Sequence, residues 1–366
     1  MYRMDIPPQV NTLIERSFYD RLADGLARSG AIRMLESLPR KSQLMVINYH
    51  RIGNSALTNL DRGVFSTDSN GLDDQIKALR KRFTFVTPSE ALDVIEMKVT
   101  PREPLALLTF DDGYRDNLTQ AFPVLESHGL KAIFFVVTSY LESPQVPWWD
   151  RLASLVRVIA LQNSSASIKL RDTSILEVTA RNVESSIKQV LENFKACSPS
   201  DQKEFESNLQ ILAEVNRKKD RSISHLEKVN DGTGETGLMM SWEDIRTLHA
   251  AGMTIGAHSH THRILSALDK ASQQQEIRSS KRILEDFLTS RVDFLAFPDG
   301  RRETFNAETM REAQAAGFRA AFSFYGGTNI TGSIQPFDIR RSSIPRTTTA
   351  VRLRIECARM GSVFSR

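Results

Sequence analysis

Only two cysteines, Cys197 and Cys357, occur in the 366 residues. A disulfide framework and a cysteine-built zinc site are therefore excluded, and any metal must be held by His, Asp or Glu. Long apolar runs are missing too. The longest strongly apolar stretch, residues 132–137, is far shorter than the roughly 20 residues that cross a bilayer. The N-terminal stretch MYRMDIPPQVNTLIERSFYD is broken early by Asp5, Pro7 and Pro8, which leaves no apolar core of a secretory signal. The expectation is a cytoplasmic protein without a transmembrane segment. An excess of one charge is absent as well: 48 basic against 44 acidic residues give a net charge of +4. With no concentrated basic stripe, nucleic acid is not an expected partner despite a pI near 9.0. No repeat of roughly 20–50 residues is visible, which sets solenoids aside.

What is present is ordinary for a folded chain: 40% apolar and 25% charged residues. At roughly 150 residues per domain the length allows two domains or one large α/β domain. Apolar runs at 43–49, 105–110, 132–137, 253–257, 292–297 and 320–324 read as buried strands. Helical spacing lies between them at 72–83, 117–128, 241–251, 271–288 and 306–316. Such alternation implies parallel βαβ units, and roughly seven of them close a barrel. Residues 10–37 read as one or two helices, an N-terminal helical extension over 1–40. Residues 41–366 are expected to form a distorted (β/α) barrel, interrupted by a large mixed insertion at about 142–238. Within it the pattern predicts a helix at 148–161, a hairpin at 168–170 and 175–178, two charged helices, and a loop at 218–237. Trp148 and Trp149 can stack on a sugar, but they read more simply as packing anchors of that first helix.

Three polar clusters sit where predicted strands end: Asp111-Asp112-Gly113, His258-Ser259-His260-Thr261-His262, and Phe297-Pro298-Asp299-Gly300. In barrels of this kind the carboxyl ends of the strands line the active site. Taken singly, paired Asp residues also cap helices or turn with the next Gly, and His residues four apart also occur by chance on surfaces. Together, two imidazoles and one carboxylate make a facial set that leaves positions open on a divalent cation. The second carboxylate is then available as a general base.

TFDDGYRDN from Thr109, KAIFFVV from Lys131 and MSWEDIRTLHAAGMTIGAHSHTHRILSAL from Met240, with the later FPDG, resemble the NodB-like polysaccharide deacetylases of carbohydrate esterase family 4. The resemblance covers residues 45–137 and 240–345. It implies a metal-dependent hydrolase that removes N-acetyl groups from an amino sugar, or from a polysaccharide or glycolipid precursor. By that resemblance Asp111 corresponds to the catalytic base, Asp112, His258 and His262 to the ligands of a divalent metal, and the backbone N–H of Tyr114 to an oxyanion donor. Zinc is the metal that the set suits best, with cobalt, nickel or manganese able to bind similarly. His260 has no matching ligand role, and the Ser259 hydroxyl reads as a loop brace.

The chain departs from the family pattern at two places. Ala296 stands where the family usually has an Arg that orients the catalytic Asp; Arg341, in PFDIRRSSIP, is the candidate replacement, with a surface ion pair as its other reading. No His follows His262 to act as general acid. Tyr49-His50, at the end of the first predicted strand, resembles the acid of a branch with rearranged motifs, although His50 also fits a packed structural residue. Two rivals follow: a non-catalytic glycan-binding barrel, and an O-acetyl esterase or other amidase.

Overall fold

The computed structural model describes residues 42–143, 145–162, 165–217 and 237–358. The expected N-terminal helices, and all but the last residue of the loop expected at 218–237, lie outside the described residues.

The apolar runs form strands as read: β1 Gln43–Tyr49, β5 Leu105–Phe110, β6 Ile133–Val136, β9 Thr254–Ala257, β10 Phe294–Ala296 and β11 Ala320–Phe322. They lie side by side in the order β11-β10-β9-β6-β5-β1, and each neighbouring pair is parallel. A short strand that the pattern did not reveal, β13 Arg341–Ser342, pairs in parallel with the free side of β1. Just ahead of it Ile339 bridges to Phe322 of β11, donating to Ala321 O and accepting from Ser323 N. Seven parallel strands thus curl round on themselves, with that bridge as the seam. Further short pieces escaped the sequence reading: β2 Arg51–Ile52, β3 Phe65–Thr67, β4 Thr84–Phe85, β12 Asn329–Ile330 and the helix Pro88–Ile95. Two-residue strands carry no detectable alternation, so periodicity has nothing to register there.

Side-chain parity decides what lies inside. Leu44 and Val46 of β1, Leu105 and Leu107 of β5, Phe294 and Ala296 of β10, and Ala320 and Phe322 of β11 share one apolar cluster, the barrel interior. The alternate residues Met45, Ile47, Leu108 and Phe110 join the cluster under the helices. Gly256 belongs to the inner face: a Cβ there would come within 2.5 Å of the Phe135 ring, so only glycine lets that ring fill the interior.

The insertion folds as expected in outline. Helix Trp148–Gln162 is followed by the antiparallel hairpin β7 Ala166–Lys169 and β8 Ile175–Val178, then by helices Val183–Lys195 and Pro199–Arg217. These elements share a core that also contains Tyr114, Val137 and Met239 from the barrel mouth. Burying apolar surface common to both fixes the insertion against the mouth, since such burial stabilises by about 25 cal/mol per Å². Among the described residues no helix is long and apolar enough to cross a membrane.

Candidate active site

Because the barrel strands are all parallel, their carboxyl ends open at one mouth. The inward parity of β1, β5, β9 and β13 continues past the apolar layers to Asn48, Thr109, Asp111, His258 and Arg341, all buried. The top layer of the barrel interior is therefore polar, and buried polar groups need partners. Arg341 supplies them. Its Nη1 and Nη2 donate to the Asp111 carboxylate at 2.7 and 2.8 Å, Nη1 also to Asn48 Oδ1 at 3.0 Å, and Nε to Ser323 O at 3.0 Å. Asn48 Nδ2 adds a third hydrogen bond to Asp111 at 2.9 Å. The paired, planar geometry is the strong form of a carboxylate–guanidinium contact. The Phe135, Phe322 and Phe324 rings surround the guanidinium. Burial pushes the Asp111 carboxyl up, but Arg341, His258 and His50 together outweigh it and hold the group below its ordinary value. Arg341 is thus a fully buried partner of Asp111, and the surface ion pair considered from sequence is overturned.

Asp112 turns the other way because its backbone is left-handed, at φ 75°. Ser259 and His262 are left-handed too, at 61° and 58°. Such conformations cost energy in non-glycine residues and concentrate where a site over-determines them. Their effect here is convergence: one donor atom from each of Asp112, His258 and His262 falls within 4.8 Å of the others. His258 Nε2 and His262 Nε2 lie 3.5 and 3.3 Å from Asp112 Oδ1. His258 Nδ1 donates to Ala296 O at 2.9 Å, which leaves the Nε2 lone pair facing the carboxylate. The residue that replaces the family's Arg thus orients a candidate ligand through its carbonyl.

The loop carrying both imidazoles is braced from two sides. His262 N donates to Ser259 Oγ at 3.0 Å, the brace expected of that hydroxyl. Glu276, from helix Lys270–Leu288, accepts from His260 N and Thr261 N at 3.0 and 2.8 Å and from the Thr261 hydroxyl. His260 instead pairs its Nδ1 with Thr138 Oγ1, away from the cluster. Burial lowers His258, yet Asp111 and Asp112 outweigh it and raise its pKa. The donor set fits a divalent cation: two imidazoles and one carboxylate converge, and the tautomer of one imidazole is fixed.

His50 lines the same cleft as Asp111, Asp112, His258 and His262, and its ring packs 5.6 Å from that of Phe324. The Tyr114 side chain lies elsewhere. It is fully buried, accepting from Trp149 Nε1 at 2.6 Å and donating to Asp150 at 2.7 Å. Burial, offset in part by Tyr114 and Arg51, pushes Asp150 up to about 7. The ring of Trp149 sits 4.6 Å from that of His262, so the insertion touches the cluster directly.

The cleft has a volume of about 990 Å³. One wall is the barrel mouth. The other is the insertion, through Trp148, Trp149 and a face of helix Val183–Lys195. Asp299 of the FPDG turn does not join the donor cluster. It binds Lys195 at 2.7 Å and Arg301 at 2.6 Å, and Arg301 reaches Glu192 at 2.9 Å, tying that helix to the barrel. Sequence reasoning missed Asn48, Glu276 and this wall. Asn48 carried a usable signal, a polar residue at an inward position of an otherwise apolar strand.

Comparison with known proteins agrees with this architecture. Three solved structures have the same fold. They are a Streptococcus pyogenes deacetylase, PplD, in complex with acetate (15% identity, TM-score 0.53, 86% of this chain and 97% of that one), IcaB from Ammonifex degensii (17%, 0.54, 87% and 98%), and a de-N-acetylase from Aggregatibacter actinomycetemcomitans (14%, 0.53, 86% and 99%). YxkH of Bacillus subtilis (strain 168), assigned to the polysaccharide deacetylases, is 31% identical over 98 residues, a match spanning 27% of this chain and 33% of YxkH. The chain thus covers about a third of that relative's length. The family profile described as polysaccharide deacetylase matches residues 98–321, which include both the Asp-Asp and the His clusters. With more than half of its length matched, this chain belongs to the polysaccharide deacetylase family.

Proposed function

We propose that this chain is a metal-dependent hydrolase that removes N-acetyl groups from an amino sugar carried in a polysaccharide or glycolipid precursor. The observation that carries this reading is the pairing of a three-donor cluster with a separate carboxylate held ionised beside it. Asp112, His258 and His262 would hold the cation, and two imidazoles with one carboxylate favour zinc. A cation bound there supplies Lewis acidity towards the acetamide oxygen and makes water easier to deprotonate.

The remaining steps belong to side chains. Asp111 takes the proton of the attacking water. Its hydrogen bonds from Arg341 and Asn48 fill all but one of its roughly four acceptor positions, so the open one is aimed by the donors that occupy the rest. Arg341 and Asn48 orient the carboxylate and keep it charged. The Tyr114 backbone N–H, carried over from the family resemblance, would donate to the oxyanion, while its phenol serves the Trp149–Asp150 network. His50 would protonate the leaving amine. Its place in the cleft wall supports that role, and its interaction with both Asp111 and Asp112 puts it within their electrostatic reach.

Mass spectrometry of products tests the reaction. Zinc-loaded protein should release acetate from N-acetylated amino sugars and leave a free amine, and prior removal of the cation with a chelator should stop it. Release from O-acetylated sugars alone would make it an esterase, and release from neither would leave a binding barrel. His50→Ala should lower kcat about 10²–10⁴-fold with little change in metal affinity. It should also flatten the alkaline limb of the pH profile, because the proton donor is gone. Near-normal kcat with an unchanged limb would return His50 to a packing role. Cytoplasmic action on a precursor is part of the same proposal, and cell fractionation checks it.

A further inference from the structure

The insertion wall has a construction that the deacetylation step does not use. Along helix Val183–Lys195, the residues Glu184, Ile187, Lys188, Leu191, Glu192 and Lys195 all line the cleft. Their spacing of three and four puts them on one helical face. Above that face stands Trp148. Phe194 stacks on its indole at 4.8 Å with an interplanar angle of 24°, and Trp149 meets it edge-on at 89°. Trp148 is only partly buried and lines the cleft. The rings run in sequence from His262 to Trp149, Trp148 and Phe194. Trp148 is therefore removed from the donor cluster by one aromatic ring.

We propose that Trp148 is the platform of a second sugar subsite, contributed by the insertion, on which the pyranose next to the acetamide-bearing residue stacks. A sugar ring presents an apolar C–H face that suits an aromatic surface, with hydroxyls around its rim. The wall provides both parts: an aromatic ring fixed by Phe194 and Trp149, and charged side chains along the helix below it. Most of those charges are committed, Glu184 to Arg157 and Arg62, and Glu192 and Lys195 to Arg301 and Asp299. Lys188 has no ion-pair partner among the described residues and is available to a hydroxyl or ring oxygen. A cleft of about 990 Å³ is also larger than one amino sugar fills, lying at the upper end of the roughly 300–1,000 Å³ typical of small-molecule sites. The inference rests on the deacetylase reading for the position of the first sugar, and it names the residue that would make the enzyme prefer an oligosaccharide over a monosaccharide.

The test compares N-acetylglucosamine with its trisaccharide. In zinc-loaded wild-type protein kcat/KM should be higher for the trisaccharide. Trp148→Ala should lower the trisaccharide-to-monosaccharide ratio about tenfold, chiefly through KM, and Trp148→Phe should restore most of it. Binding is read separately by calorimetric titration of both sugars into Asp111→Asn protein, where turnover does not intervene. There the trisaccharide should bind about tenfold more tightly, and adding Trp148→Ala should remove the preference. Equal affinity for both sugars, no binding of either, or an equal loss for both on substitution overturns the subsite. Acetate release without a length preference removes the subsite but leaves the deacetylase reading. A length preference in binding without acetate release does the opposite.

Discussion

Asp111→Asn should lower kcat by at least about 10²–10⁴-fold, the usual worth of a positioned general base, while metal content stays within about twofold of wild type. The amide keeps the outline of the carboxylate but has no proton affinity at neutral pH. It also presents an N–H where the native residue presents an acceptor. Asp111 receives from Arg341 Nη1, Arg341 Nη2 and Asn48 Nδ2, so one of these donors must face another donor in the variant. A modest loss of stability should therefore accompany the loss of rate. Metal retention is the decisive readout, measured by equilibrium dialysis and elemental analysis beside initial rates. Asp111 Oδ2 lies 3.8 Å from His258 Nε2, and Asp112 Oδ1 lies 3.5 Å from the same atom. The two carboxylates are nearly equidistant from that imidazole, and loss of metal from Asp111→Asn would exchange their roles.

The barrel was legible because its strands are buried on both faces and read as short continuous apolar runs. QLMVINY and LALLTF were bounded by polar residues at the mouth, so their carboxyl ends, and with them Asp111 and Asp112, could be placed on the candidate site. The donor cluster was equally accessible, since a short loop between His258 and His262 limits how far they can separate. Arg341 was less so. It lies in a two-residue strand with no periodic signature, and only the missing Arg at Ala296 gave reason to look for it. Its depth in the barrel follows from β13 pairing with β1, a long-range fact that no local pattern contains.

Other features were hidden for different physical reasons. Asn117–Ala121, expected as the start of an ordinary helix, is wound as a π-helix before the α-helix Phe122–Ser127 takes over. Single-turn widenings of this kind leave the apolar spacing almost unchanged and so escape periodicity. Trp148 and Trp149 were read as packing anchors. Both do pack, Trp149 against His262 and Tyr140 and Trp148 against Phe194, and both also line the cleft, Trp148 as the less buried of the two. Adjacent residues on a helix are 100° apart, so a packed pair can differ in how much of each ring is left open. Asp299 was grouped with the motif residues because it follows a strand, and its partners Lys195 and Arg301 show it holding the insertion instead.

Arg341→Met should be the most destabilising single change at the site, by about 3–5 kcal/mol at neutral pH, because it leaves a carboxylate buried without its counter-charge. Arg341 is 0% exposed and Asp111 2%, so water cannot take over the role. The loss should depend on pH in a defined direction. In the native protein the Asp111 carboxyl is held below its unfolded value, so its ionised form contributes stability that is present above that value and lost as pH falls through the folded one. In the variant the largest lowering influence is gone and burial is opposed only by His258, His50 and the Asn48 amide, so the carboxyl rises from its native position. Ionisation of Asp111 therefore contributes less stability in the variant than in the native protein. The gap between native and variant should therefore narrow as pH falls towards 4 and widen towards pH 7, which urea denaturation of the metal-free proteins measures. Arg341→Lys separates charge from shape: it restores part of the stability at pH 7 but not the two-pronged hold on Asp111, so kcat should stay well below native. A gap between native and Arg341→Met that is the same at both pH values would instead assign the cost to lost packing against Phe135, Phe322 and Phe324. Asp111 would then be oriented chiefly by Asn48.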